Sequence, residues 1–132
     1  MAKKKVFISY DYDNDKHYKN LLLAWDANKD FDFSLYDQSV DVSVDSTEAA
    51  VIRRVISARI SDSAYFLCIV GKHTYKSSWV AWEIKKAAEL NKKVIAVKTA
   101  KDNDTPLELY GIGAEWALSF TFDSIKNAID RT

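Results

Sequence analysis

Apolar residues recur along the chain at two different spacings, which predict strands and helices in alternation. Runs rich in β-branched and aromatic residues predict five strands, at residues 5–10, 31–36, 64–70, 94–97 and 116–120. Apolar residues three and four positions apart predict amphipathic helices at residues 16–28, 52–60 and 78–91 and after residue 123. Strands that alternate with helices in this way are typical of a parallel sheet with helices on both faces.

The character of each strand predicts its place in that sheet. Residues 64–70 and 94–97 are apolar throughout, as central strands covered on both faces are. Residues 31–36 alternate between apolar and polar, which is typical of an edge or exposed strand. We therefore expect an α/β, flavodoxin-like fold of three layers with the strand order 2-1-3-4-5. In that order the ligand crevice lies beyond the carboxyl ends of strands one and three.

Acidic residues mark the predicted starts of three helices. Asp15 is the expected N-cap of the first helix, and Asp123 is the expected N-cap of the last. Asp45 and Glu48 have the spacing of a capping box at the start of the second helix. Residues 38–45 before that helix form a polar loop.

Composition and charge narrow the class of protein. With 132 residues, 48% of them hydrophobic, the chain predicts one folded domain over residues 1–132. Nineteen basic residues balance nineteen acidic ones, so the basic excess that nucleic-acid binding needs is missing. No apolar run approaches the roughly 20 residues that span a bilayer, so we expect no membrane partner. Cys68 is the single cysteine and cannot form an internal disulfide, which predicts a cytoplasmic protein.

Several kinds of active site lack the residues that they need. The three glycines all follow residue 70 and cannot form a phosphate-binding turn after the first strand. His17, His73 and Cys68 have no zinc-ligand spacing, so we expect no metal, and Cys68 fits core packing. Ser9 with a histidine lacks the strained turn that holds a hydrolase nucleophile. A phosphate-accepting receiver domain shares the predicted fold, but the third strand here ends without the aspartate that a receiver uses.

The predicted helix at residues 78–91 carries one charged residue on its apolar side. A turn of about 100° per residue from Trp79 places Glu83 near 40°, inside the apolar arc. Two interpretations are open: Glu83 reaches water or a lysine at the edge of the arc, or its carboxyl lies in a partly dry, aromatic-lined cleft that tunes its protonation. Trp82 falls among lysines on the other side, where it covers their stems or contacts another subunit.

Two motifs on these elements resemble those of a known family. F-I-S-Y at residues 7–10 and W-x-x-x-E at residues 79–83 are similar to the corresponding segments of TIR domains. From residue 4 to residue 129 the chain resembles the compact TIR-like proteins of the Thoeris anti-phage defence system. Residues 36–40 and 68–73 add to that similarity.

The resemblance implies both a reaction and the residues that perform it. Enzymatic members of the family cleave NAD at the nicotinamide–ribose bond, so NAD is the implied substrate and no separate cofactor is needed. A cyclic ADP-ribose-type signal then activates a separate effector protein, and the active form is a homo-oligomer. By residue match, Glu83 is the implied catalytic glutamate, and Ser9, Tyr10, Asp11 and Trp79 are implied to bind substrate.

Two departures from the family pattern bear on function. Val80 stands where many immune TIR domains have a cysteine, which is a packing difference. The loop at residues 38–45 has no proline or glycine, unlike the proline-bearing loop of many animal TIR adaptors. The alternative to an NAD-cleaving enzyme is a TIR-like module without catalysis, which acts by self-association or by binding a partner.

Overall fold

The computed structural model describes residues 3–38 and 40–132, which form a parallel sheet flanked by helices. The sheet has the order β2-β1-β3-β4-β5. Its strands are β1 (Lys4–Ser9), β2 (Phe31–Leu35), β3 (Tyr65–Val70), β4 (Lys93–Lys98) and β5 (Glu115–Trp116). The helices are α1 (Tyr12–Trp25), α2 (Ala50–Ser61), α3 (Ser78–Glu89) and α4 (Phe122–Arg131). The predicted fold class and strand order are confirmed, while a single domain over residues 1–132 stays a prediction.

Alternating side chains of the central strands build two separate cores. In β1, Val6 and Ile8 pack on one face, with Leu22 of α1 and Ile125 and Ile129 of α4. On the other face, buried side chains of the strands pack against α2 and α3; they include Phe7, Phe66, Cys68, Ile56, Ile60 and Ile84. Because successive strand residues point to opposite faces, each face is filled by alternate positions of the same strands. Cys68 is fully buried in this second core, as the sequence predicts.

The first helix begins earlier than its sequence pattern predicts. Its N-cap is Asp11, so the predicted cap Asp15 lies inside the helix, where it is only 3% exposed. The Asp15 carboxylate instead accepts a hydrogen bond from the Thr74 hydroxyl at 3.2 Å and packs against Gly71. The expectation that Asp15 caps α1 is therefore wrong, because its carboxylate serves a contact between α1 and the chain after β3.

The predicted capping box of the second helix is also absent. The N-cap of α2 is Ala49, without a side-chain hydrogen bond, so neither Asp45 nor Glu48 caps the helix. The Arg53 guanidinium reaches back instead and donates to the carbonyl oxygens of Val44, at 2.6 Å, and Ser46, at 2.8 Å. A charged donor inside the helix thus fixes the loop that precedes it. Ser39 of the predicted loop lies outside the described residues.

The last strand is shorter than the predicted segment at residues 116–120. After Trp116, the amide of Ala117 donates to Ala96 of β4, and the chain then leaves the sheet. Leu118 is 92% exposed, whereas an apolar side chain in a sheet covered by helices on both faces would be buried. Thr121 caps α4 by accepting from the amide of Ser124, so Asp123 lies in the first turn and is not the cap. Across the described part of the chain, no helix is long and apolar enough to cross a membrane.

The close approach of Gly71 to Asp15 gives a stability prediction. A Cβ added at Gly71 would overlap the Asp15 carboxylate. We expect Gly71→Ala to destabilise the fold by about 1–3 kcal/mol, as overpacking of a filled interior does. Chemical denaturation measures the change. In an Asp15→Ala background the added methyl group meets no carboxylate, so the same substitution should cost much less; equal costs in both backgrounds would contradict the overlap.

Candidate active site

A serine from the sheet meets a glutamate from a helix at the carboxyl end of β1. Ser9 is the last residue of β1 and shares the α3 side of the sheet with Phe7. Its hydroxyl donates to Oε1 of Glu83 at 2.7 Å, and both side chains are buried, with Ser9 1% and Glu83 7% exposed. The start of α3 is fixed by Ser77, whose hydroxyl accepts from the amide of Val80. Glu83 is thus buried beside the sheet, as the interpretation that places its carboxyl in a partly dry cleft expects. Its carboxyl is not paired with any lysine that the structure describes.

Burial changes the ionisation of this glutamate. Loss of hydration raises the pKa of the Glu83 carboxyl to about 8, although the hydrogen bond from Ser9 acts in the opposite direction. A carboxyl group is more easily kept neutral than charged in a dry site, because the anion loses more hydration energy. The raised pKa therefore favours the protonated acid at neutral pH far more than in an exposed glutamate. A pKa near the working pH is typical of groups that exchange protons or charge with a substrate.

A small cleft lies over Glu83, beyond the ends of β1 and β2 and beside the start of α3. It encloses about 80 Å³. Its lining residues are Tyr10, Asp11, Tyr12, Asp13, Tyr36, Gln38, Val40, Ile56, Ser77, Trp79 and Glu83. Among these described lining residues there is no lysine, arginine or histidine, whereas three are acidic. The cleft therefore favours a cation over an anion next to Glu83.

Trp79 and Trp82 occupy different positions but touch each other. Trp79 lines the cleft, and its indole N–H donates to the carbonyl of Val42 at 3.2 Å. Trp82 lies outside the cleft and packs edge-on against Trp79, with ring centroids 6.2 Å apart. The Nζ of Lys86 lies 5.6 Å from the centre of the Trp82 ring, which agrees with the lysine-covering interpretation of Trp82, while its contact with another subunit stays a prediction. The helical positions of Trp79 and Trp82 predict rings that point in different directions. In the structure the two rings are in contact, because both pack against the same core from neighbouring turns of α3.

Tyr10 and Asp11, which follow β1, both line the cleft but differ in their contacts. The Tyr10 hydroxyl donates to Asp37, and its ring is 7% exposed. Burial, then the bond to Asp37, raises the Tyr10 pKa, so the phenol stays neutral. Asp11 is the half-buried N-cap of α1 and accepts from the side-chain amide of Asn14 at 2.7 Å. The cleft thus brings together Glu83, Tyr10, Asp11 and Trp79, with Ser9 directly behind Glu83.

The sequence-based predictions missed two further residues that hold this site. Lys19 of α1 is 3% exposed, and its Nζ lies 3.0 Å from the Asp37 carboxylate. The spacing of Lys19 three residues before Leu22 on the buried side of α1 is a signal that could have indicated a buried lysine. Asp37 has no comparable signal, because it lies in a polar stretch after β2.

A wider depression lies on the other side of the α1 N-terminus. His17 and His73 line it together with Lys72, Lys76 and Asp102, and neither Glu83 nor Ser9 reaches it. Within residues 3–38 and 40–132 no three histidine, cysteine or carboxylate side chains are grouped so that they could hold a metal ion. Both charge signs share this depression, so it has no clear preference for one kind of ion.

Comparison with solved structures shows the same fold in proteins of low sequence identity. A protein of Enterococcus faecalis V583, described as conserved, matches with a TM-score of 0.67 and 14% identity, over 99% of this chain and all of its own. The CMP N-glycosidase BcmB of Clostridium botulinum matches with a TM-score of 0.60 and 15% identity, over 96% of this chain and 99% of its own. A 2-deoxyribosyltransferase of Bacillus psychrosaccharolyticus matches with a TM-score of 0.60 and 16% identity, over 88% and 87%. These likenesses confirm the fold.

The sequence comparison identifies the family. None of the curated protein sequences compared with this chain matches it. The family model described as Thoeris protein ThsB, TIR-like domain, matches residues 7–104, which include the second half of β1, the cleft and the whole of α3. Both motifs that resemble TIR domains, at residues 7–10 and 79–83, lie inside the matched segment. The chain therefore belongs to the Thoeris ThsB TIR-like domain family.

Proposed function

We propose that this protein cleaves NAD at the nicotinamide–ribose bond, with Glu83 as the catalytic carboxylate. One observation carries the proposal: Glu83 is a buried acid at the base of a cleft without basic side chains among its described residues, and its pKa is raised to about 8. The family match to a Thoeris TIR-like domain supports it. Two structural neighbours, named as an N-glycosidase and a deoxyribosyltransferase, show that the fold accommodates chemistry at a glycosidic carbon.

The charge of the substrate makes Glu83 suited to this reaction. The nicotinamide ring of NAD is a cation, and a cation next to a carboxyl group favours the ionised form of that group. Substrate entry would therefore shift the Glu83 proton to solvent and leave a carboxylate beside the ribose. The Ser9 hydroxyl, which donates to Oε1, would hold that carboxylate in place.

The bond cleavage itself then needs little further help. The electron pair of the C1′–N bond moves to the ring nitrogen, and nicotinamide leaves as a neutral molecule, so no general acid is required. The ribose C1′ takes on oxocarbenium character, as at other glycosidic centres. A carboxylate fixed beside it lowers the energy of that positive charge.

The fate of the ribosyl cation decides the product. Water, which loses a proton on attack, gives ADP-ribose, and a nucleophilic atom of the same molecule gives a cyclic ADP-ribose-type product. The cleft encloses about 80 Å³, well below the 300–1,000 Å³ or so of pockets that bury whole drug-sized ligands. Only the reacting end of NAD would thus lie beside Glu83. A cyclic product as a diffusible signal, a separate effector, a homo-oligomeric active form and a cytoplasmic location are parts of the same proposal.

Nicotinamide release from NAD by the purified protein distinguishes this enzyme from a non-enzymatic TIR-like module. If the wild-type protein releases nicotinamide and Glu83→Gln does not, the result supports the hypothesis that the protein is an enzyme. A folded protein that releases no nicotinamide, alone or in extracts of phage-infected cells, would favour the module that acts by partner binding.

Removal of the Glu83 charge should abolish catalysis. Glu83→Gln keeps the length of the side chain but cannot become an anion, so we expect the rate to fall about 10²–10³-fold, as for loss of one preorganised electrostatic contact. Nicotinamide release measured by chromatography tests this. Glu89→Gln is the control, because Glu89 lies exposed on the same helix, paired with Lys86. A folded Glu83→Gln protein that cleaves NAD at the normal rate would remove the centre of the mechanism.

The raised pKa predicts how activity depends on pH. If the ionised form of Glu83 binds and cleaves NAD, kcat/KM should rise about tenfold per pH unit up to a pH of about 8 and then level off, because kcat/KM reports the pKa of the free enzyme. Ser9→Ala removes the hydrogen bond that lowers this pKa and should move the midpoint to higher pH. A profile that is flat from pH 6 to 9 would contradict the assignment.

The same ionisation should appear in stability, independently of any substrate. The folded protein binds the Glu83 proton more tightly than the unfolded chain does, so its stabilising effect is complete below about pH 4.5 and is lost as the pH rises through about 8. Glu83→Gln lacks this loss. Its stability relative to wild type should therefore increase by up to a few kcal/mol from pH 5 to pH 8, which denaturant titrations at both pH values measure.

Trp79 should matter more for activity than Trp82. Trp79 lines the cleft, so we expect Trp79→Ala to lower kcat/KM by at least about tenfold, as loss of a substrate-positioning contact can. Trp82→Ala also removes the edge-on ring contact, which is worth about 0.5–1.5 kcal/mol of stability, but it leaves the cleft intact. Thermal unfolding of both variants must accompany the kinetics. Equal losses of activity in two equally stable variants would contradict the different placement of the rings.

A further inference from the structure

We propose that Asp37 and Lys19 are positioning residues that hold the Tyr10 ring, and the chain after β2, as one wall of the cleft. Neither residue belongs to the motifs at residues 7–10 and 79–83. The kinetic part of this inference rests on the proposed function, whereas its structural part can be measured without any substrate.

The contacts form a three-way junction between separate elements. The Tyr10 hydroxyl, at the end of β1, donates to Oδ1 of Asp37, which follows β2. The ammonium of Lys19, from α1, donates to Oδ2 of Asp37 at 3.1 Å and lies 3.0 Å from Oδ1. The same ammonium is 5.6 Å from the centre of the Tyr10 ring. The Tyr10 bond, and then Lys19, lower the pKa of Asp37, so the carboxylate stays charged at neutral pH.

Stability alone gives a poor reason for this junction. The Lys19 side chain is only 4% exposed, and a buried ammonium loses hydration that a single ion pair repays only in part. Leu22, one turn further along the same side of α1, is a fully buried core residue. An apolar residue at position 19 would continue that core at lower cost. The charged arrangement is therefore explained by the geometry that it imposes on its neighbours.

That geometry acts on the cleft from two directions. Tyr10 follows Ser9, the residue that donates to Glu83, and its ring lines the cleft. Gln38, the next residue after Asp37, and Val40 line the cleft as well. Loss of the Asp37 carboxylate would thus release both the ring and the start of the connection to α2. A wall that contacts substrate equally in the ground state and the transition state affects KM more than kcat.

A double variant separates positioning from stability. Lys19→Met with Asp37→Leu leaves no buried unpaired charge, so it should unfold at a higher temperature than Asp37→Leu alone, which leaves the buried Lys19 ammonium without its carboxylate. Tyr10 has lost its acceptor in this variant. We expect KM for NAD to rise about tenfold while kcat changes less than about threefold, as when uniform binding is lost. Lys5→Met with Asp62→Leu is the matched control, because it removes an exposed ion pair of 3.1 Å at the opposite end of β1.

A second readout keeps the inference testable if wild-type protein proves inactive on NAD, an outcome that would count against the proposed function alone. In NMR spectra of protein with ring-labelled tyrosine, Tyr10→Phe identifies the Tyr10 signal among the seven tyrosines. That signal should move and broaden in the Lys19/Asp37 double variant and stay unchanged in the Lys5/Asp62 control. A stable double variant with an unchanged Tyr10 signal overturns the proposal. So does a folded Tyr10→Phe protein that cleaves NAD with the KM of wild type.

Discussion

The last residue of β1 and the residue after it point to opposite sides of the sheet, and the site is organised by this alternation. Ser9 points to the side of α2 and α3, where its hydroxyl meets Glu83. Tyr10 points to the side of α1, where it meets the junction of Asp37 and Lys19. One strand end thus connects a buried acid on one face to a buried cation on the other. A shift of β1 by one residue would exchange the two side chains and separate both from their partners.

Burial of Glu83 costs stability whenever its carboxyl is charged, because the buried carboxylate loses its hydration. Ser9 is the partner that reduces this cost, and the neutral acid reduces it further. Cys68 is paired in register with Ser9 on the neighbouring strand but does not stabilise the Glu83 charge. Burial, and then the charge of Glu83, raise the pKa of the Cys68 thiol. Under the proposed function this cost has a reason, since the positive charge that forms on the ribose during the reaction would stabilise the carboxylate.

The sequence predicts the layers of this fold well, because hydrophobic periodicity decides which residues are buried. It predicts helix starts less well. Asp15, Asp45 and Asp123 all look like caps, yet Asp15 makes a tertiary contact with Thr74, α2 begins at Ala49 without a side-chain cap, and the Thr121 hydroxyl caps α4. Local sequence preferences do not predict which residue caps a helix in these cases, because the outcome depends on a group distant in sequence or on competition between adjacent polar residues. For the site, the wheel places Glu83 in the apolar arc, and alternation in β1 places Ser9 on the α3 side of the sheet. The junction of Tyr10, Asp37 and Lys19 depends on the register of three elements, and only the fold shows it.

The distribution of charge around the cleft follows from the same arrangement. Asp11, Asp13 and Glu83 line the cleft, while the nearest buried cation, Lys19, is already neutralised by Asp37 on the α1 side of the sheet. Lys86 pairs with Glu89 and lies over Trp82, outside the cleft. Lys19 and Lys86 are thus both paired outside the cleft, and a cation that enters it would meet Asp11, Asp13 and Glu83. The described residues that line the cleft include no cation to pair with the pyrophosphate of NAD, so under the proposed function the charge of the cleft favours NAD with its nicotinamide end inward.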